Sequence, residues 1–238
     1  MLRYLLFDLD GTLLPMDTDK FLGAYLHLLA PRLSRYLPPD RFIRELLIST
    51  EAMIVNNEPS KTNEEVFMDD FFGRTGLPKE ELLPIFEDFY RRDFPSLVHA
   101  TQPSETAALI LEKAIMKGYE VVIATNPIFP RLAIEERLRW IGVSDFPFRL
   151  VTTYEEMHFC KPNLNYYREI IERLNCTETA CLMVGNDVEE DLVAGKIGIQ
   201  TYLVKNCVIN RKGCAYQANY QGSLEDLLAF VESLPKAT

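Results

Sequence analysis

The stretch Leu5-Leu6-Phe7-Asp8-Leu9-Asp10-Gly11-Thr12 joins an apolar run to two carboxylates and a glycine. The apolar run predicts a buried strand. Alternate residues of a strand share one face, so Asp8 and Asp10 can meet one ligand, while Gly11 allows a close backbone turn. Two ionised carboxylates repel each other, which indicates either Mg²⁺ or unequal pKa values that separate a nucleophile from an acid. The alternative for this stretch alone is an ordinary acidic turn after a strand.

The composition is that of a globular chain without an unusual partner. The 238 residues are 47% hydrophobic, enough for one large domain or two small ones. The net charge of −10 argues against a nucleic-acid partner and against an anionic membrane surface. Five cysteines, an odd number without CxxC spacing, predict reduced thiols. With no signal peptide and no apolar run of about 18 residues, we expect a cytoplasmic protein.

The pattern of apolar residues changes along the chain. Residues 16 to about 94 show helical spacing, whereas helices and strands alternate after Pro103-Ser104. Together with the first strand, this alternation predicts an α/β fold with a doubly wound, mainly parallel, Rossmann-like sheet. The helical block interrupts that fold after the first strand. Further strands are predicted at 120–124, 148–152, 180–184 and 201–204, and helices at 131–140, 166–174 and 224–234.

Each later strand end carries polar groups suited to a ligand site. Thr125 and Asn126 follow the second strand, and Lys161 precedes a helix after the third. A hydroxyl, an amide and a lysine can hold or neutralise an anion, although each is commonly an ordinary loop residue. The fourth strand ends in Gly185-Asn186-Asp187, with Asp191 close behind. So many acidic and amide groups at one strand end favour a cation.

These four elements, in this order, resemble the four motifs of the haloacid dehalogenase superfamily. The match spans nearly the whole chain, and the helical insertion after the first motif resembles a C1 cap. The resemblance implies a core domain of residues 1–15 and 95–238 with an inserted helical cap domain of residues 16–94.

The resemblance also implies a reaction. Asp8 would attack phosphorus and form an aspartyl-phosphate, while Asp10 would protonate the leaving alcohol and later deprotonate water. Lys161 would take part in catalysis and, with Thr125 and Asn126, would bind the phosphoryl oxygens. Mg²⁺ would be the cofactor. The substrate would be a small phosphorylated metabolite.

The metal ligands at the fourth motif stay open between neighbouring residues. The motif commonly begins Gly-Asp, but here Asn186 follows Gly185. We expect the Asp8 carboxylate, the Asp10 backbone carbonyl and Asp187 to bind the metal. The alternative is that Asn186 binds it through its amide oxygen, with Asp191 acting through water. A sugar phosphomutase and a non-catalytic phosphate-binding protein remain alternative functions.

Overall fold

A computed structural model describes residues 1–237 and shows one sheet of six parallel strands. The order across the sheet is β3-β2-β1-β4-β5-β6. The strands are β1 (Tyr4–Phe7), β2 (Glu120–Ile123), β3 (Leu150–Val151), β4 (Cys181–Gly185), β5 (Gln200–Val204) and β6 (Tyr220–Gly222).

The strand order gives the sheet a switch point at β1. The chain runs outward from β1 through β2 to β3, then crosses back to β4 on the other side of β1. Phe7 pairs in register with Ile123 of β2 and with Val184 of β4. Because ligands of such sheets bind beyond the carboxyl ends at a switch point, the residues after β1, β2 and β4 are well placed for a site.

Four helices are inserted between β1 and the rest of the sheet. They are α1 (Thr18–Leu29), α2 (Pro39–Ile54), α3 (Asn63–Thr75) and α4 (Lys79–Arg92). Asp17 caps α1 by accepting a hydrogen bond from the Lys20 backbone, and a capping box of Thr62 and Glu65 begins α3. Short 3₁₀ segments follow α1 and α4 at Ala30–Leu33 and Phe94–Ala100.

The remaining helices cover both faces of the sheet. They are α5 (Glu105–Met116), α6 (Arg131–Trp140), α7 (Leu164–Leu174) and α8 (Leu224–Ser233). Leu5 and Phe7 of β1 contact the core shared with α5, α6, α8 and the inserted helices, whereas Leu6 contacts the core shared with α7. Alternate residues of β1 are thus buried on opposite faces, which explains its continuous apolar sequence.

The structure confirms the predicted fold class of a parallel α/β sheet with inserted helices. It also differs from the sequence prediction in two places. β3 is shorter than predicted, and β6 was not predicted. None of the helices within residues 1–237 has the length and hydropathy needed to cross a membrane.

Candidate active site

The carboxyl ends of β1, β2 and β4 bring polar side chains from distant parts of the chain together. Asp8 follows β1, Thr125 follows β2 and Asn186 follows β4, and all three are buried. Lys161 reaches the same place from the loop before α7. The predicted convergence of strand ends therefore occurs, and it centres on Asp8.

Lys161 lies between two carboxylates in the interior. Its Nζ is 3.0 Å from Asp8 Oδ1 and 2.6 Å from Asp191 Oδ1, and its side chain is 1% exposed. Burial alone would lower the pKa of Lys161, but Asp191 and Asp8 outweigh burial and raise that pKa well above its ordinary value. A protonated ammonium group is thus fixed beside Asp8.

A threonine links Asp8 to the turn after β4. Thr12 Oγ1 lies 3.1 Å from Asp8 Oδ2 and 2.9 Å from Asn186 Oδ1. Gly11 has a φ of +82°, and a Cβ there would lie 2.3 Å from Asn186 Nδ2. The glycine thus permits both the left-handed backbone and the close approach of Asn186.

The carboxylate of Asp187, in contrast, contacts backbone N–H groups of its own turn and the side chain of Arg211. Its Oδ1 accepts hydrogen bonds from the backbone N–H groups of Glu189 and Glu190, at 2.8 and 2.9 Å. Its Oδ2 lies 2.5 Å from Arg211 Nη1. Its own N–H donates to Asp191 Oδ2 over 2.9 Å. The side chain of Asp187 thus stabilises the turn that presents Asn186.

The described part of the chain contains no group of three or more His, Cys, Asp and Glu side chains arranged to enclose a metal ion. The oxygen donors near Asp8 include an amide as well as carboxylates. Magnesium is usually held by one or two carboxylates together with water and substrate phosphate, so a closed cage of acids is not required. Asp8 Oδ2 and Asn186 Oδ1 lie on either side of the Thr12 hydroxyl, and a carboxylate together with an amide oxygen is a hard donor set that fits Mg²⁺.

Asp10 is held by an arginine that the sequence pattern did not single out. Arg137 of α6 is fully buried, and its Nη1 forms an ion pair with Asp10 Oδ2. Its Nε donates to the Ala133 carbonyl, and its guanidinium lies 4.5 Å from the centre of the Phe129 ring. Burial raises the pKa of Asp10, although the Arg137 guanidinium opposes that shift. An acid with a raised pKa can carry a proton.

Thr125 and Asn126, the polar residues that follow β2, both line the cavity beside Asp8. Thr125 is 2% exposed. Asn126 uses both ends of its amide within the protein, because Oδ1 accepts from the Lys161 backbone at 3.1 Å and Nδ2 donates to Glu190 at 3.0 Å. Asn126 therefore attaches the loop of Lys161 to the end of β2.

The site opens into a cavity of about 490 Å³ that both Asp8 and Asp10 line. Residues of the inserted helices form much of its remaining wall. Three residues of the site were missed by sequence analysis: Thr12, Arg137 and Arg211. Thr12 lies within the first motif and was within reach of prediction, whereas Arg137 and Arg211 have no sequence signal that separates them from surface arginines.

Comparison with known proteins places this arrangement in a family. The profile of the family described as "Haloacid dehalogenase-like hydrolase" matches residues 5–204. That segment includes every strand end described above, together with the inserted helices. The family resemblance read from the four motifs is confirmed.

Individual relatives carry the names of phosphatases. The chain is 28% identical to the pyrophosphatase PpaX of Bacillus velezensis over 193 residues, covering 81% of this chain and 77% of that protein. It is 33% identical to the glyceraldehyde 3-phosphate phosphatase of Methanothermobacter thermautotrophicus over 105 residues, or 44% of each chain. A crystal structure of a HAD phosphatase from Thermococcus onnurineus superposes with a TM-score of 0.61 at 22% identity and covers 100% of both chains.

Proposed function

Because this chain belongs to the haloacid dehalogenase-like hydrolase family and is a hydrolase, we propose that it is a magnesium-dependent phosphatase acting through Asp8. Its substrate is a small phosphate monoester. The observation that carries the proposal is the contact of Asp8 with Lys161 at 3.0 Å, on the wall of a cavity that Asp10 also lines. The names of the relatives also support phosphate chemistry.

In the first half of the proposed reaction, a carboxylate oxygen of Asp8 forms a bond to phosphorus while the ester oxygen leaves. Asp10 gives its proton to that oxygen, so the product is an alcohol. Lys161 offsets the negative charge around Asp8 and the transferring group, and the Thr125 hydroxyl donates to a phosphoryl oxygen.

In the second half, Asp10 takes a proton from water as the water oxygen forms a bond to phosphorus and the phosphorus–oxygen bond to Asp8 breaks, which releases inorganic phosphate. The Asp8 carboxylate and the protonated Asp10 are both regenerated. Arg137 positions Asp10 for both transfers. Asn126, expected from sequence to bind phosphate, is assigned instead to holding the loop of Lys161.

Asp8 and Asn186 through their side-chain oxygens, and Asp10 through its backbone carbonyl, would hold Mg²⁺, since these are hard oxygen donors. The Asp10 carboxyl group is then left for proton transfer. Bound Mg²⁺ would supply positive charge that lowers the repulsion between the phosphate and the nucleophile. Asn186 replaces Asp187 in this proposal because Asn186 Oδ1 and Asp8 Oδ2 both contact the Thr12 hydroxyl and so lie together, whereas the Asp187 carboxylate forms an ion pair with Arg211. We also propose the boundaries 16–94 for the cap, which enclose α1 to α4.

The proposal is tested by phosphate release from p-nitrophenyl phosphate, with Mg²⁺ and then with excess EDTA. We expect turnover with Mg²⁺ and background release with EDTA. Asp8→Asn should abolish turnover, and Asp40→Asn, a change at an exposed aspartate in the first turn of α2, should leave it intact. Phosphate binding without turnover across a broad panel of monoesters would instead indicate a non-catalytic binding protein.

A further inference from the structure

The cavity beside Asp8 and Asp10 has a wall that is mostly apolar. Side chains from all four inserted helices contribute to it, and Phe129 joins them from the loop after β2. Leu47 of α2 lines the cavity although its residue surface is 41% exposed. The apolar residues on which the inference depends are Phe21, Leu47, Phe67, Met68, Phe86 and Phe129.

Two of the three tyrosines that line this wall bond to each other. The Tyr25 and Tyr90 hydroxyls lie 2.9 Å apart and share one hydrogen bond. The Tyr25 ring also packs edge-on against Phe129, with the ring centres 5.4 Å apart. A sugar or polyol placed against the faces of these rings would lose hydrogen bonds to water and regain only some of them, which costs free energy.

The charges at the wall disfavour a second anionic group on the substrate. Among the residues that the structure describes, Arg211 is the only lysine or arginine that lines the cavity, and it is paired with Asp187. Asp19 and Glu51 line the same cavity and are exposed. A carboxylate or second phosphate on the leaving group would meet like charges and apolar side chains.

We propose that the substrate is a phosphate monoester of an apolar alcohol that carries no negatively charged group and whose hydrocarbon part fills this cavity. The inference rests on the proposed phosphatase function. The phosphate lies against Asp8 and Thr125, with the buried Lys161 ammonium group 3.0 Å from Asp8 offsetting charge, while the aromatic and aliphatic wall buries the alcohol. A cavity of about 490 Å³ is within the range typical of small-ligand sites. The same wall discriminates against pyrophosphate and phosphorylated polyols.

The main comparison in the test is between two substrates whose ester bonds are chemically alike. 2-Phenylethyl phosphate and glycerol 3-phosphate are both primary alkyl phosphates, so differences in kcat/KM report the cavity more than the leaving group. Inorganic pyrophosphate and phosphocholine complete the panel, and p-nitrophenyl phosphate reports general activity. Because the cavity buries the phenyl group, we expect kcat/KM for 2-phenylethyl phosphate to be at least about tenfold higher than for glycerol 3-phosphate, pyrophosphate or phosphocholine.

Two neighbouring residues of α2 provide a matched pair of variants. Leu47 lines the cavity, whereas Ile48 is similarly exposed and does not. Leu47→Lys should lower kcat/KM for 2-phenylethyl phosphate by about tenfold and reduce its advantage over glycerol 3-phosphate. Ile48→Lys should leave the ratio of the two substrates unchanged.

The outcomes separate the two proposals. Higher kcat/KM for glycerol 3-phosphate, pyrophosphate or phosphocholine than for 2-phenylethyl phosphate would overturn the apolar substrate class and leave the phosphatase proposal standing. Equal effects of Leu47→Lys and Ile48→Lys on the ratio would also overturn it. If no member of the panel, including p-nitrophenyl phosphate, is hydrolysed, both proposals fail.

Discussion

At the scale of single residues, the pairing of Arg137 with Asp10 is the contact that most directly connects the fold to the chemistry. The Arg137 side chain is fully buried, whereas that of Asp10 is 23% exposed toward the cavity. Breaking one side of a buried ion pair leaves a charge without compensation, which is strongly destabilising. The pair therefore contributes to stability and fixes the orientation of the proposed acid.

Replacement of Arg137 should affect both properties. Arg137→Met keeps the aliphatic stem but removes the cation, and we expect the free energy of unfolding to fall by about 3 kcal/mol. The value lies at the low end of the range for buried pairs because Asp10 is partly exposed. We also expect kcat to fall by at least about tenfold, with a smaller change in KM. Urea denaturation and steady-state kinetics measure the two effects.

A second arginine on the same helix supplies the control. Arg139 pairs with Glu136, and its side chain is 62% exposed. Arg139→Met should therefore change the free energy of unfolding by less than about 1 kcal/mol and leave kcat unaltered. Equal losses in the two variants would show that Arg137 has no special role in positioning Asp10.

The turn after β4 offers a second residue-scale prediction. Asn186 Oδ1 is connected to Asp8 through Thr12, whereas Asp187 pairs with Arg211. Calorimetric titration with Mg²⁺ should show that Asn186→Ala weakens binding by at least about tenfold. Asp187→Ala should weaken it less. The opposite order would return the ligand role to Asp187.

At the scale of elements, the start of α3 is attached directly to the core. Asn63 is buried, its backbone N–H donates to the Met157 carbonyl at 2.7 Å, and its side chain donates to the carbonyls of Pro127 and Phe159 at 3.3 Å. The polar loop between α2 and α3 also contacts the core, because Asn163 Nδ2 donates to Asn57 Oδ1 over 2.7 Å. These contacts fix the start of α3, one of the inserted helices, beside the loop that carries Lys161.

Loss of the Asn63 side chain should loosen this attachment. In Asn63→Ala two buried carbonyls lose their donor, which we expect to cost about 1 kcal/mol. Hydrogen exchange should accelerate at the backbone amides of Asn63 and Glu64, both of which donate to core carbonyls. Asn56→Ala provides the control, because the side-chain hydrogen bonds of Asn56 stay within its own loop. Similar exchange at Asn63 and Glu64 in both variants would contradict a fixing role for the Asn63 side chain.

Periodicity predicted the buried elements well and the exposed ones poorly. The predicted helix at 131–140 coincides with α6, and Ser223 begins α8 with a capping box as its type and position suggest. β6 escaped prediction because it is a three-residue edge strand with two exposed residues, and so has almost no apolar signal. The strand predicted at 148–152 was too long because Phe148 and Thr152, which flank β3, are residue types that favour strands.

The part of the site that could be predicted from the sequence is the part that lies at recognisable strand ends. Asp8, Thr125 and Lys161 were found because each follows a recognisable strand or precedes a helix in a parallel fold. Arg137 was not, since an arginine inside an amphipathic helix is ordinarily solvated. Its burial depends on the packing of Phe129 and on Asp10, which are brought together only by the tertiary fold.

At the scale of the whole molecule, the chain is acidic, yet the lysine and the arginine that are buried among its described residues both lie at the candidate active site. The net charge is −10, yet Lys161 and Arg137 both lie fully buried beside the acids of the site. An anionic substrate is therefore met by local charge and not by the long-range field of the protein. A bound Mg²⁺ would add to that local charge.

Binding of Mg²⁺ should stabilise the folded chain measurably. At a free concentration about 100 times the Kd, binding to the folded state alone raises the free energy of unfolding by about 2.7 kcal/mol. Thermal unfolding with Mg²⁺ should therefore give a higher Tm than with EDTA. Potassium chloride at equal ionic strength controls for screening of the net negative charge, and Asn186→Ala should show a smaller increase. An equal increase with both salts would count against a specific metal site.

The assignment of Asp8 as nucleophile is tested most directly by mapping the covalent intermediate. In Asp10→Asn the second half of the reaction lacks its base, whereas p-nitrophenolate leaves without needing the acid of the first half. Acid quenching of this variant with p-nitrophenyl phosphate and Mg²⁺, followed by peptide mass spectrometry, should find one phosphoryl group on Asp8. Phosphate transferred to another residue, or continued turnover with Asp8 unmodified, would contradict the assignment.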